Sequence, residues 1–182
     1  TGRYNFVSAQ VVRSSWNRKY NLITINRGES DGIRPEMGVV SSHGVVGIVY
    51  LTSSHYSIVM PLINENTKVS CRLKGTEFFG TMTWKQESAL NIMVTGIPRH
   101  APVKRRDIVE TNGYSAIFPE GLPIGRVGHI GDSPDGMSYL LRVIPFVDFS
   151  TLREVSVITD YVMPERKELE QRADSIAAAT EM

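Results

Sequence analysis

Short segments in which apolar residues occupy every second position constrain the fold of this chain more than any other feature. In residues 68–74, Val69, Cys71 and Leu73 fall on one face of an extended segment and polar side chains occupy the other. A period of two is typical of half-buried β-strands, and helical periodicity is almost absent before Asp160. The pattern predicts an all-β fold in which Cys71 points into a core.

Turn signals separate the candidate strands. Asp31-Gly32, His43-Gly44, Asn112-Gly113 and Asp135-Gly136 each place a glycine where a hairpin turn needs a positive φ. Short strands separated in this way favour small barrels or sandwiches. The predicted strands cover residues 7–11, 22–26, 45–50, 56–60, 68–74, 80–85, 90–95, 107–111, 125–130, 139–145 and 154–159.

A faint internal repeat suggests two modules in tandem. Ile33-Arg34-Pro35-Glu36 precedes one glycine and strand, and Ile117-Phe118-Pro119-Glu120 precedes another. We therefore expect two small six-stranded β-barrel domains, at residues 4–75 and 76–162, and a short helical tail at 163–182 that has a proline in its first turn. The last strand is assigned to the second barrel, although it could equally return to complete the first.

Composition limits the classes of function. Among 182 residues, 20 Lys and Arg stand against 19 Asp and Glu, and a net charge of +1 argues against nucleic acid as a partner. The longest apolar runs, 45–51 and 58–63, are too short to cross a membrane as helices. Cys71 has no second cysteine with which to form an internal disulfide. Since the chain starts at Thr1 without Met or a signal-like segment, we expect a fragment, and its start does not reveal its compartment.

One motif favours an enzyme. Gly131-Asp132-Ser133 is similar to the nucleophile segment of chymotrypsin-like serine hydrolases, which also have two β-barrels, and His43 or His55 followed by Asp107 and Ser133 gives that family's order. The residues after Ser133 are Pro134 and Asp135 rather than paired glycines, so a polar hairpin turn explains the motif better. A serine hydrolase remains the alternative function.

Metal and cofactor sites find no support in the sequence. The four histidines lack the spacing of metal ligands, and the segment Gly44-Val45-Val46-Gly47 lacks the Lys-Ser/Thr of a phosphate-binding loop. We expect neither a metal nor a cofactor.

A rigid loop is the better candidate for a functional site. Residues 116–127 combine prolines, which restrict φ, with glycines and large apolar side chains, a composition suited to presenting a surface to a partner protein. Tyr114 and Phe118 are expected to be exposed, whereas most other aromatic residues, including Trp16, Tyr20 and Phe79, are core candidates. The predicted partner-binding residues are Tyr114, Ile117, Phe118, Pro119 and Leu122.

The order of several segments resembles the periplasmic region of the rod shape-determining MreC family, from about residue 5 to residue 160. The resemblance is carried by Leu22-Ile23-Thr24-Ile25-Asn26-Arg27-Gly28, Asp31-Gly32-Ile33, Met37-Gly38-Val39-Val40, Gly44-Val45-Val46-Gly47, Asp107-Ile108-Val109-Glu110-Thr111-Asn112-Gly113 and Ile117-Phe118-Pro119-Glu120-Gly121-Leu122-Pro123-Ile124-Gly125-Arg126-Val127.

This resemblance implies two β-barrels and a non-enzymatic scaffold of the cell-wall elongation complex. It further implies a periplasmic location, an inner-membrane anchor in a segment that this chain lacks, and self-association into dimers or filaments. The implied partners are the elongation penicillin-binding protein, MreD and other elongasome proteins. Two positions depart from the family pattern, because Arg106 stands where a glycine is common and Tyr114-Ser115-Ala116 replaces a glycine-rich pair.

Overall fold

Twelve β-strands, two short 3₁₀ turns and one α-helix make up the regular structure of this computed structural model, which describes residues 4–115, 117–159 and 162–181. The strands are β1 Phe6–Ser14, β2 Ile23–Ile25, β3 Gly38–Val40, β4 Val45–Thr52, β5 Ser57–Pro61, β6 Val69–Leu73, β7 Phe79–Thr83, β8 Ile92–Pro98, β9 Ile108–Thr111, β10 Pro123–Asp132, β11 Ser138–Pro145 and β12 Glu154–Ile158. The helix α1 is Val162–Glu181.

The strands close into two six-stranded barrels. The first barrel has the order β1-β12-β3-β4-β5-β2 and the second has the order β10-β11-β8-β7-β6-β9. All pairings are antiparallel, and register shifts in several pairs provide the local bends that closure requires. The prediction of two six-stranded barrels followed by a C-terminal helix is confirmed.

The strand topology corrects the domain boundary expected at residue 75. β6 pairs with β7 and with β9, so the strand that was assigned to the first barrel belongs to the second. β12 pairs with β1 and β3 and closes the first barrel, so residues 76–162 are not one continuous domain. Local alternation marks a strand but not its partner, because pairing joins residues that are far apart in sequence.

Alternation places the cores where the sequence predicts them. Val69, Cys71 and Leu73 are buried on the inner face of β6, and Ile23 and Ile25 are buried in β2. The sequence missed β3, because a strand of three residues is too short to show a period.

Two connecting segments cross between the barrels. The buried residues of the barrels and of these segments form one contiguous core. Residues 62–68 lead from β5 to β6, with Leu62 and Ile63 buried, and residues 146–153 lead from β11 to β12. Asn21 donates from Nδ2 to the carbonyl oxygen of Ile63 at 2.6 Å, and Asn64 donates back to that of Asn21 at 2.8 Å. These bonds satisfy buried amide groups and hold the first crossing against the first barrel.

The C-terminal helix α1 lies apart from the cores. Glu165 and residues 168–181 are exposed. No helix in the described part of the chain combines the length and the apolar composition that crossing a membrane demands.

Candidate partner-binding surface

The loop between β9 and β10 is held at its base by Thr111 and Asn112. The Thr111 hydroxyl donates to the carbonyl oxygen of Pro119 at 2.7 Å and accepts from the N–H of Leu122 at 2.9 Å. Asn112 Oδ1 accepts from the N–H of Tyr114 at 2.9 Å. Gly121 has a φ of 86°, a left-handed conformation that favours glycine. The predicted rigid loop is thus fixed by side-chain bonds as well as by its prolines.

Tyr114 presents the most exposed part of this loop. Its side chain is 73% exposed, and its ring meets the exposed ring of Phe79 edge-on, with centroids 6.4 Å apart. Phe79 was expected in a core, as were Trp16 and Tyr20, and all three are exposed. For Phe79 the signal was available, because Phe78 and Phe79 are adjacent at the start of a strand and neighbouring side chains point to opposite faces.

The expected exposure of Phe118 is wrong. Its side chain is only 2% exposed, and its ring packs against Gly38 of the first barrel. A Cβ at Gly38 would lie 2.5 Å from the nearest ring carbon. Phe118 is therefore a contact between the barrels, which local sequence could not reveal because Gly38 lies in another barrel.

The remaining predicted contact residues lie between these extremes. Ile117, Pro119 and Leu122 are half-buried, and Ile117 and Leu122 pack partly against the core. Ala116 lies outside the described residues. Of the five predicted residues, Tyr114 is thus the most accessible side chain.

A second glycine contact fixes the loop end against the first barrel. A Cβ on Gly44 would lie 2.5 Å from the carbonyl oxygen of Pro123. Gly38 begins β3 and Gly44 lies in the turn that leads to β4, so β3 and this turn fit closely against both ends of the segment from Phe118 to Pro123. The loop is positioned by the whole two-barrel unit.

A charged cluster flanks the loop. Arg72 donates from Nε to Glu110 Oε2 at 2.8 Å, and its guanidinium lies 3.5 Å from the exposed carboxylate of Glu120. The hydrogen bond to Glu110 raises the pKa of Arg72 above its usual value. Since Glu110 and much of Arg72 are buried, the pair is a structural tie between β6 and β9.

The hydrolase motif forms a turn. Ser133 donates to the Asp135 carboxylate, which also accepts from the N–H of Met137 at 2.9 Å, and this turn joins β10 to β11. These bonds lower the pKa of Asp135, the one from Ser133 most. Among the described residues, no hydrogen bond links Ser133 to a histidine. His43 bonds to Ser42 in the first barrel, so this geometry does not provide an activated serine.

A thiol and a metal centre are two further kinds of reactive site. Burial raises the pKa of the Cys71 thiol to about 12, so it stays protonated and unreactive at neutral pH. Within residues 4–115, 117–159 and 162–181, no group of three or more His, Cys, Asp and Glu side chains is placed to hold a metal ion.

Comparison with known sequences shows which family this chain is similar to. The sequence profile of the family described as rod shape-determining protein MreC, barrel core, matches residues 11–159. The cell shape-determining protein MreC of Listeria monocytogenes is 27% identical over 161 residues, covering 85% of this chain and 54% of that protein. The chain spans about half the length of the curated relatives it matches.

Solved structures agree with these sequence matches. A structure of MreC from Listeria monocytogenes superposes with a TM-score of 0.79 at 25% identity, covering 86% of this chain and 76% of that one. A structure of the complex between penicillin-binding protein PBP2 and MreC from Helicobacter pylori also matches. Its TM-score is 0.65 at 18% identity, and the match covers 86% of this chain and 99% of that one. The latter likeness is one of fold.

Proposed function

The chain belongs to the rod shape-determining MreC family, and on that premise we propose that it is a non-enzymatic, extracytoplasmic scaffold of the cell-wall elongation complex. It binds the elongation penicillin-binding protein through the loop at residues 112–122 and associates with further copies of itself. MreD and other elongasome proteins are further partners. A segment outside this chain anchors the full-length protein to the inner membrane, and this chain lies in the periplasm.

The observation that carries the binding proposal is the exposed aromatic pair of Tyr114 and Phe79 on a rigid support. Exposed aromatic side chains are enriched at protein interfaces, because each gives a large contact area at a small cost in side-chain entropy. The bonds from Thr111 and Asn112 hold the loop in one conformation, which lowers the entropy lost on binding. The Helicobacter pylori complex supports the choice of partner.

Each predicted contact residue has a distinct part in this proposal. Tyr114 contacts the partner directly, and Ile117, Pro119 and Leu122 form the half-buried base of the surface. Phe118 contributes by holding the loop against Gly38, since its buried ring has no accessible area to offer. If the partner exists in two conformations, the scaffold stabilises the one that it binds more tightly.

A binding titration tests the loop. The partner is the periplasmic part of the elongation penicillin-binding protein from the same organism, and Tyr114→Ala is expected to raise the dissociation constant at least about tenfold, as an interface hot spot does. The matched control is Met137→Ala, because Met137 is 76% exposed and lies beyond the opposite end of β10. β10 separates the two sites by roughly 30 Å.

The two variants give opposite expectations. Met137→Ala should bind as the unchanged protein does, and circular dichroism should show both variants folded. If Tyr114→Ala and the unchanged protein bind with equal affinity, the loop is not the binding surface. If neither binds, the penicillin-binding protein is not the partner.

A further inference from the structure

The outer wall of the first barrel has polar pairs at the middle of β1 and β12, between the exposed Phe6 and Val12, and aliphatic pairs across β4 and β5. Across β1 and β12, Ser8 lies opposite Ser156 and Gln10 opposite Glu154. Across β4 and β5, Ile48 lies opposite Met60 and Leu51 opposite Ile58, and the register that pairs Ile23 with Val59 places Leu22 beside Met60. We call this second surface the aliphatic wall, formed by Leu22, Ile48, Leu51, Ile58 and Met60.

The aliphatic wall is not needed to fill the barrel. Ile23, Val49 and Val59 point inward on the same strands and are buried at 0–1% exposure. Leu51, by contrast, is 55% exposed, and Ile58 and Met60 are half-buried on the outside. Contiguous apolar surface of this kind on a soluble domain marks an interaction site.

The helix α1 carries an exposed apolar stripe. Leu169, Ala173, Ile176 and Thr180 follow the four-three-four spacing that places residues on one helix face, and Leu169 and Ile176 are 63% and 66% exposed. The rest of α1 is mostly charged or small. Most of the stability of a helix in a protein comes from packing its apolar face, so a surface that covers Leu169 and Ile176 would stabilise α1.

The two surfaces match in size. Three neighbouring strands span about 10 Å, which is about the diameter of a helix with its side chains. The strands β2, β5 and β4 are such neighbours in the first barrel. The seven steps from Leu169 to Ile176 extend about 10 Å along a helix, so both side chains reach the wall from one docked helix.

The two surfaces also match in charge. Arg13 lies opposite Thr24 at one edge of the aliphatic wall, and Arg18 and Lys19 precede Leu22. None of these three cations forms an ion pair with another described residue. α1 carries five acidic and three basic residues, so the helix as a whole has a negative charge, and side chains of both signs lie within one turn of Leu169.

The barrel order places the wall out of easy reach of its own helix. β12, from which α1 continues after three residues, and β5, the centre of the wall, are three strands apart in both directions around the barrel. β12 therefore lies on the side of the barrel opposite the aliphatic wall. We infer that α1 of one copy docks by its Leu169 and Ile176 stripe on the aliphatic wall of a second copy.

This contact joins two different surfaces, because each copy offers one helix and one wall. Two copies that exchange helices reciprocally form a closed dimer, and copies that pass their helices on in one direction form a filament. The inference rests on the self-association in the proposed function and specifies the surfaces that perform it. It makes no use of the loop at residues 112–122.

Sedimentation of the full chain over a wide range of concentrations tests the helix side. Leu169→Glu/Ile176→Glu is expected to raise the dissociation constant for self-association at least about tenfold, because it places charge against aliphatic side chains. The control is Gln171→Glu/Ala178→Glu, which adds the same two carboxylates at the same spacing about 200° around the helix. The control should associate as the unchanged chain does.

Leu51→Glu tests the wall side. Its control is Gln10→Glu, at the polar pair that Gln10 forms with Glu154 between β1 and β12. Leu51 is exposed, so this variant is expected to keep its fold, which circular dichroism checks. Leu51→Glu should weaken association as the helix variant does, and Gln10→Glu should not.

Mixing the two impaired variants distinguishes this contact from its alternatives. The helix variant keeps an intact wall and the wall variant keeps an intact helix, so their mixture retains one good contact and should associate more strongly than either alone. If only the helix variant is impaired, the helices pair with each other, and if only the wall variant is impaired, the walls do. Either result, or a chain that is monomeric at every concentration, overturns the inference.

Binding to the penicillin-binding protein is measured separately with the helix variant. Retained binding with lost self-association shows that the two surfaces are independent. Lost binding by Tyr114→Ala with intact association leaves the present inference standing.

Discussion

Phe118 and Gly38 should be energetically coupled, because the ring of one occupies the space that a side chain on the other would need. A Cβ at Gly38 would lie 2.5 and 2.7 Å from two ring carbons of Phe118 and 2.8 Å from the carbonyl oxygen of Ile117. Ordinary carbon contacts begin near 3.4 Å, so Gly38→Ala must displace a buried ring. We expect it to lower the free energy of unfolding by about 1–3 kcal/mol.

Removing the ring has its own cost. Phe118 is 2% exposed, so Phe118→Ala loses nearly all the burial of a phenyl group and should cost about 3–5 kcal/mol. In the double variant the added methyl group meets a hole rather than a ring, and only the contact with the Ile117 carbonyl oxygen persists. The cost of the double variant should therefore fall short of the sum of the two single costs by about 0.5–3 kcal/mol.

Urea denaturation measures this cycle. Circular dichroism follows the strands, and the fluorescence of Trp84, which is buried in the second barrel, reports on tertiary structure. Because native domains are stable by only about 5–15 kcal/mol, Phe118→Leu provides a milder member of the cycle if Phe118→Ala is too unstable. Costs that add to within about 0.5 kcal/mol would refute the direct contact between ring and glycine.

Three further predictions follow from particular residues. Arg106 has a φ of 75°, so Arg106→Gly is expected to raise the free energy of unfolding by about 1 kcal/mol by relieving a left-handed conformation, as chemical denaturation would show. Burial raises the pKa of Cys71 to about 12, so a thiol-specific reagent at pH 8 should react with it only after unfolding. Glu110→Ala leaves Arg72 partly buried without its closest carboxylate. The free energy of unfolding, measured by thermal unfolding, should fall by about 3 kcal/mol.

Each of these has a clear contrary result. A less stable Arg106→Gly would mean that contacts of the arginine outweigh its backbone strain. Rapid labelling of the folded chain at Cys71 would mean that the second barrel opens locally. An unchanged stability of Glu110→Ala would mean that backbone pairing alone ties β6 to β9. The control is Glu120→Ala, which removes an exposed partner of Arg72 and should have little effect on stability.

The candidate surface shows which features local sequence can predict and which it cannot. The rigid loop and the exposure of Tyr114 were predictable, since proline, glycine and an Asn-Gly turn act on their own neighbours. The burial of Phe118 was not, because its contact is Gly38, a residue in the other barrel. The partner status of the five loop residues stays a prediction.

Arg106 is a position that the sequence marked as unusual and that the structure explains. The resemblance to the family marked this position as one where glycine is common, and the structure gives the reason in its positive φ. The arginine keeps the turn because its N–H donates to the carbonyl oxygen of Val127 at 2.7 Å. A strained backbone can persist when tertiary bonds hold it.

The sequence by itself determined that this protein is built of short strands with Cys71 and its neighbours inside, because alternation and turn residues act over a few positions. Only the tertiary structure decided that β6 belongs to the second barrel, that β12 returns to the first, and that Phe118 joins the two. Those choices depend on which distant segments bury surface together, and an extended strand carries the same period of two whichever partner it pairs with.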